Sequence, residues 1–191
     1  HNLYPKDFMI KVPTPNTYSG QDFFYSNHLE ESEHSPLRII DVEDHEEKLL
    51  PISGQKKWMA DEINELPEKL KEAVRAFLIS TAVRFYREDR REHHSMIINV
   101  SVLTDIQKRL KTVVGEYLDE LDEAIKATAG QDPQRALEQT QISEIHDTYK
   151  EIYSAIDEDW NDFFPELFNV SNKKLQQYSI NSESDDNLDY E

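Results

Sequence analysis

The stretch that most constrains this chain runs from His93 to Leu110. Met96-Ile97-Ile98-Asn99-Val100 is a short, mostly apolar run rich in branched residues, the pattern of a strand covered on both faces. Thr104 and Gln107 follow with the spacing of a capping box, in which the hydroxyl accepts from the amide three residues on and the Gln reaches back. From there the apolar residues switch to helical spacing: Ile106, Leu110, Val113 with Val114, Tyr117, Leu121 and Ile125. A buried strand feeding a capped helix is the unit of a layered α/β domain. Ligands of such sheets meet the chain at the carboxyl ends of strands, here Ser101 to Thr104.

The rest of the chain fits around that unit. Residues 1–65 read as an extended, turn-rich segment packed on the core, with strand candidates at Phe8–Val12 and Leu37–Val42. Leu66 to Arg87 reads as a helix, with Pro67 in its first turn and a stripe of Leu70, Ala73, Val74, Phe77, Leu78, Thr81 and Phe85. The long helix after Thr104 lasts to about Ala129. Asp132 and Pro133 then start another over 133–158, with a break near Thr140. Trp160, Phe163, Phe164, Leu167 and Phe168 surround Pro165 as a core group, and Lys174 to Ile180 returns toward a strand. The helix-rich α/β core is expected over 66–182, with an acidic, loose tail over 183–191.

With 191 residues the chain can bury a core of its own. A net charge of −18 argues against a general binder of nucleic acid or anionic membrane. The charge is uneven, however. Between Lys69 and Lys111 ten Lys and Arg face five acids, so that stretch is +5 and the remainder −23. Charge runs of this kind are ordinarily solvated helix faces; the sharper reading is an anion-facing side on an acidic body. Cysteine is absent, which removes disulfide and thiol chemistry and fits a cytoplasmic protein. No apolar run reaches the roughly 18 residues that span a bilayer, so no membrane partner is expected. The chain opens His-Asn and stops at Asp189-Tyr190-Glu191, and we read it as a segment of a longer protein.

Most catalytic readings fail on spacing. Gly20, Gly54, Gly115 and Gly130 lie too far apart to build a phosphate loop or a dinucleotide fingerprint, which excludes a self-contained nucleotide hydrolase. His93 and His94 point to opposite faces of a strand and have no partner at zinc spacing. Asp41 or Asp44 with Glu46-Glu47-Lys48 loosely matches a metal-dependent nuclease constellation, but in a chain this acidic such a match arises by chance. Ser95 and Ser101 lack the strained Gly-x-Ser-x-Gly turn of a nucleophile. No catalytic or metal-binding residue is assigned.

Four blocks carry a family resemblance: Leu3-Tyr4-Pro5-Lys6-Asp7-Phe8; Leu66-Pro67-Glu68-Lys69-Leu70 through Leu78; Ser95-Met96-Ile97-Ile98-Asn99-Val100-Ser101 with Thr104-Asp105-Ile106-Gln107; and Ile180-Asn181-Ser182 with Leu188-Asp189-Tyr190. By these the chain resembles the Z-one domain family, prokaryotic proteins that look like superfamily-two helicase ATPases, carry an endonuclease label, and occur beside restriction-modification and phage-defence genes. The resemblance implies that a Walker-type ATPase lobe precedes this segment, that the segment opens the second RecA-like lobe with helical insertions and few strands, and that arginine motifs follow. It also implies ATP and Mg²⁺ as cofactors of the parent, with none held here, and as partners DNA and the parent's other domains. The Ser95–Ser101 strand corresponds to the fourth helicase motif, whose carboxyl end faces the nucleic-acid backbone. Val102 stands where the family often has Arg.

The candidate nucleic-acid-binding residues are therefore Ser101, Thr104, Lys108 and Lys111. A helix amino terminus offers unpaired amides and partial positive charge to a phosphate oxygen. The alternative is a non-catalytic helical interaction scaffold, in which Thr104 merely caps a helix and the lysines lie in solvent. The two part on whether the cations of 69–111 share a face.

Overall fold

The computed structural model describes residues 63–88, 94–100, 103–173 and 175–179, all within one compact unit spanning Asp41–Glu191. Among the described residues there are five helices: α1 (Glu68–Tyr86), α2 (Thr104–Ala127), α3 (Pro133–Ala136), α4 (Thr140–Ile152) and α5 (Trp160–Asn172). Helices α4 and α5 each pack against both α1 and α2, and the short α3 sits on α5. One core runs through all of them, with Ile79, Leu121, Ile142, Ile145, Phe163 and Leu167 at its centre.

The helix boundaries have local causes. Pro67 precedes α1, and its carbonyl accepts from the amides of Leu70 and Lys71. Asp132 caps α3, accepting from the amides of Gln134 at 3.0 Å and Arg135 at 3.2 Å, with Pro133 at the first position. Gly130, between α2 and α3, has φ 74°, a conformation a side chain would strain. The expected helix over 133–158 is split into α3 and α4 around Leu137–Gln139, near the anticipated break. Asp159 caps α5 through the amide of Asn161 at 2.9 Å. That helix runs through Pro165 and carries the aromatic group that the sequence placed in the core.

The largest correction concerns strands. Among the described residues none lies in a β-ladder, so this part of the molecule is helical, not α/β. Residues 94–100 are extended and alternate: Met96, Ile98 and Val100 pack on the helical core, while Ile97 is 89 % exposed and Asn99 points outward. The run is covered on one face, not both. Branched composition fixed an extended backbone, but a doubly buried strand also needs neighbours. Residues 175–179 repeat the pattern, with Leu175 against the core and Tyr178 outward. The strand candidates at Phe8–Val12 and Leu37–Val42, the carboxylates of 41–47, and the acidic tail lie outside the described residues.

Candidate nucleic-acid interface

Helix α2 starts one residue off the expected cap. Leu103 is its N-cap, extended at φ −85° and ψ 121° with no side-chain cap bond, and its carbonyl accepts from the amide of Gln107 at 3.1 Å. Thr104 is the first helical residue, so the capping box does not form as the spacing predicted. Ser101 lies outside the described residues.

Thr104, Lys108 and Lys111 do come together. Their i, i+4, i+7 spacing puts them on one line of α2, opposite the buried stripe. Thr104 and Lys111 are half-buried and Lys108 is exposed. The same line continues to Gly115, where an added Cβ would meet Gln177 Nε2 at 3.3 Å. The 175–179 segment thus crosses α2 one turn after Lys111 and bounds the basic patch. Beyond the crossing the helix turns acidic, through Glu116, Asp119, Glu120, Asp122 and Glu123. The terminal turns themselves suit the helix macrodipole, with Asp105 in the first and Lys126 in the last, and its field falls off before Lys108 and Lys111 are reached.

The cations of 69–111 do not share a face. Arg75 is 5 % exposed and cross-links three helices. Its Nε donates to Thr148 Oγ1 at 2.9 Å, Nη1 to Tyr117 OH at 2.9 Å and Glu144 Oε2 at 3.3 Å, and Nη2 to Glu68 Oε1 at 2.8 Å. Burial works against its charge, but the bonds to Glu68 and Tyr117 outweigh it and its pKa is raised. Burial likewise pushes the Tyr117 phenol up to about 12, against the pull of Arg75. Lys69 pairs with Glu72 at 2.6 Å, and Lys71 with Glu65 at 3.3 Å while lying 5.8 Å from the Tyr117 ring centre. Arg109 donates to the carbonyl of Ile63 at 2.8 Å and fastens the lead-in to α1. Arg87 grips Glu158 through two bonds of 2.5 and 2.7 Å, which raises the pKa of Arg87 and lowers that of Glu158. Arg90 and Arg91 lie outside the described residues.

Arg75 is the residue that sequence reasoning placed wrongly, counting it with cations of a solvated or anion-facing surface although it is buried. Its spacing to Leu78 and Ala82 was the available signal, since i+3 and i+7 put it on the buried side. His94, weighed as a metal ligand, instead shares a 2.7 Å hydrogen bond with Thr81 and lies with its ring centre 4.7 Å from that of Phe77. Among the described residues no three His, Asp or Glu side chains are grouped to hold a metal ion.

A family model, the Z1 domain, matches residues 69–191. The chain belongs to the Z1 domain family. The match takes in the five helices of the described residues apart from Glu68, the first residue of α1, and with them Arg75 and the basic start of α2. No curated protein and no solved structure is matched by this Z1 chain. No helix among its described residues is long and apolar enough to cross a membrane.

Proposed function

We propose that this Z1 chain is the helical part of a cytoplasmic, helicase-like, DNA-dependent ATPase of prokaryotic defence or restriction-modification loci, opening its second RecA-like lobe. Its task is to touch the nucleic-acid backbone with the start of α2 and to brace the parent's other domains. ATP and Mg²⁺ belong to the parent's preceding lobe. The observation that carries this reading is the shared line of Thr104, Lys108 and Lys111 on α2, ending where Gln177 crosses. Contacts of this kind position a protein without reading bases.

The test is Lys108→Ala with Lys111→Ala in the intact protein that carries the chain. Binding should weaken similarly on all sequences, and the slope of log affinity against log salt should shrink by roughly 1.4 to 1.8, at about 0.7 per contact on single strands and 0.9 on duplex. An unchanged slope retires the reading. The purified chain itself should show no ATP turnover, since its four glycines build no phosphate loop.

A second reading, the interaction scaffold, is the one that the cations of 69–111 favour, because they do not share a face and most are used internally. Lys69, Lys71, Arg75, Arg87 and Arg109 all bond to groups of this same unit. An unchanged salt slope in the double variant would favour it.

A further inference from the structure

The extended segment 175–179 places its side chains alternately: Leu175, Gln177 and Ser179 are half-buried, Gln176 and Tyr178 exposed. Its course runs against the direction of α2. Ser171, near the end of α5, donates to Asp122 Oδ1, and further along the chain Gln177 lies over Gly115. On that course Tyr178 comes after the crossing, on the side of Lys111. Gly115 itself lies only about 6 Å along the helix axis from Lys111. Tyr178 is 45 % exposed, and its hydroxyl donates to Gln176 Oε1, its neighbour on the outward face. That bond lays the phenol along the segment, so an aromatic ring stands in solvent where the basic line ends. Phosphates that follow Thr104, Lys108 and Lys111 meet their own sign of charge further down α2, at Glu116, Asp119, Glu120 and Glu123. A strand laid on the line must therefore leave α2 at the crossing, beside Tyr178.

We infer that Tyr178 stacks on an unpaired base, which makes the ligand of the basic line single-stranded DNA. The inference rests on the backbone contacts proposed for Lys108 and Lys111 and adds the strandedness that they leave open. Phosphate contacts position a strand but carry no information from its bases. A ring beside them finds a base face only where the bases are unstacked. Every base has such a face, so the stacking is tolerant of sequence and agrees with a contact that reads none.

The test uses the intact protein that carries the chain and three fluorescein-labelled probes of one length: oligothymidylate, an abasic strand with the same phosphates, and a duplex. Tyr178→Ala should weaken binding of oligothymidylate about fivefold or more and leave the abasic strand and the duplex unchanged. It should also keep the salt slope, since no phosphate contact is lost. Tyr178→Trp should bind oligothymidylate as the parent does, with unchanged circular dichroism in both variants. Lys108→Ala with Lys111→Ala should instead weaken oligothymidylate and the abasic strand alike and shrink the slope. Unchanged oligothymidylate binding in Tyr178→Ala overturns the inference, and so does an equal loss on the abasic strand or the duplex. If the lysine pair shrinks the slope while Tyr178→Ala changes nothing, the backbone reading stands and only the stacking falls. If the lysine pair leaves the slope unchanged, both fall.

Discussion

Helices α1 and α2 rest on the same two neighbours but are buried differently. On α2 the residues Ile106, Leu110, Val113, Val114, Tyr117, Leu121, Ala124 and Ile125 are buried, a band spanning roughly 120° at the 100° per residue of an α-helix. On α1 the buried set runs from Val74 and Leu78 through Ile79 and Val83 and includes Glu72, Arg75 and Thr81, a band of roughly 200°. Helix α2 is held by an apolar stripe, with its polar groups on the outer side. Helix α1 lies deeper, and burying more than half of its circumference forces polar side chains inside. Those must then be bonded: Arg75 to four partners, and Thr81 to the carbonyl of Phe77 at 2.8 Å and to His94. Depth, more than composition, separates the two helices.

The comparison is broken most directly by cutting the stripe of α2. Leu121 is fully buried, and Leu121→Ala should cost about 2–5 kcal/mol by urea denaturation. Arg75→Met tests the other helix. It keeps the stem and removes the charge, leaving the buried Tyr117 and Thr148 hydroxyls without their donor, for about 1–3 kcal/mol. The carboxylates of Glu68 and Glu144 stay largely in water and soften the loss. A gain in stability from Arg75→Met would show that α1 tolerates an apolar filling as α2 does.

The same contrast explains what the sequence made legible. A narrow apolar band on a long helix is a periodic signal, and every member of the α2 stripe from Ile106 to Ile125 is buried as its spacing predicted. The wide band of α1 has weak periodicity, so of its expected stripe Val74, Leu78, Thr81 and Phe85 are buried while Leu70, Ala73 and Phe77 are only partly so. Ile79, Ala82 and Arg75 were missed on the same account. Of the candidate site, the shared line of Thr104, Lys108 and Lys111 follows from helical spacing alone. Its boundary does not, because the contact of Gln177 with Gly115 joins residues far apart in sequence. Phe77 sharpens the point. Packed on the His94 ring at the edge of the core, it should lose only about 1–2 kcal/mol as Phe77→Ala, below the 3–5 kcal/mol of a central Phe.

The smallest effect is expected where the two helices meet. Tyr117 is the polar member of the α2 stripe, and its hydroxyl accepts from Arg75 at 2.9 Å. Tyr117→Phe keeps the ring in the stripe and leaves Arg75 bonded to Thr148, Glu144 and Glu68, so near neutral pH it should cost about 0.5–1.5 kcal/mol. Alkaline pH distinguishes a buried phenol from a mere spacer. Burial holds the folded phenol at about 12, whereas in the unfolded chain it ionises near its usual value of about 10. Between those values the unfolded state has released a proton that the folded state keeps, so unfolding gains driving force as pH rises. The contribution of Tyr117 is thus fully present below about pH 10 and is lost progressively toward pH 12. In Tyr117→Phe that part of the alkaline decline should vanish, and the stability difference between the two proteins should narrow as pH climbs. A difference that stays constant across the window would mean the phenol ionises alike in both states and is not sealed between α1 and α2.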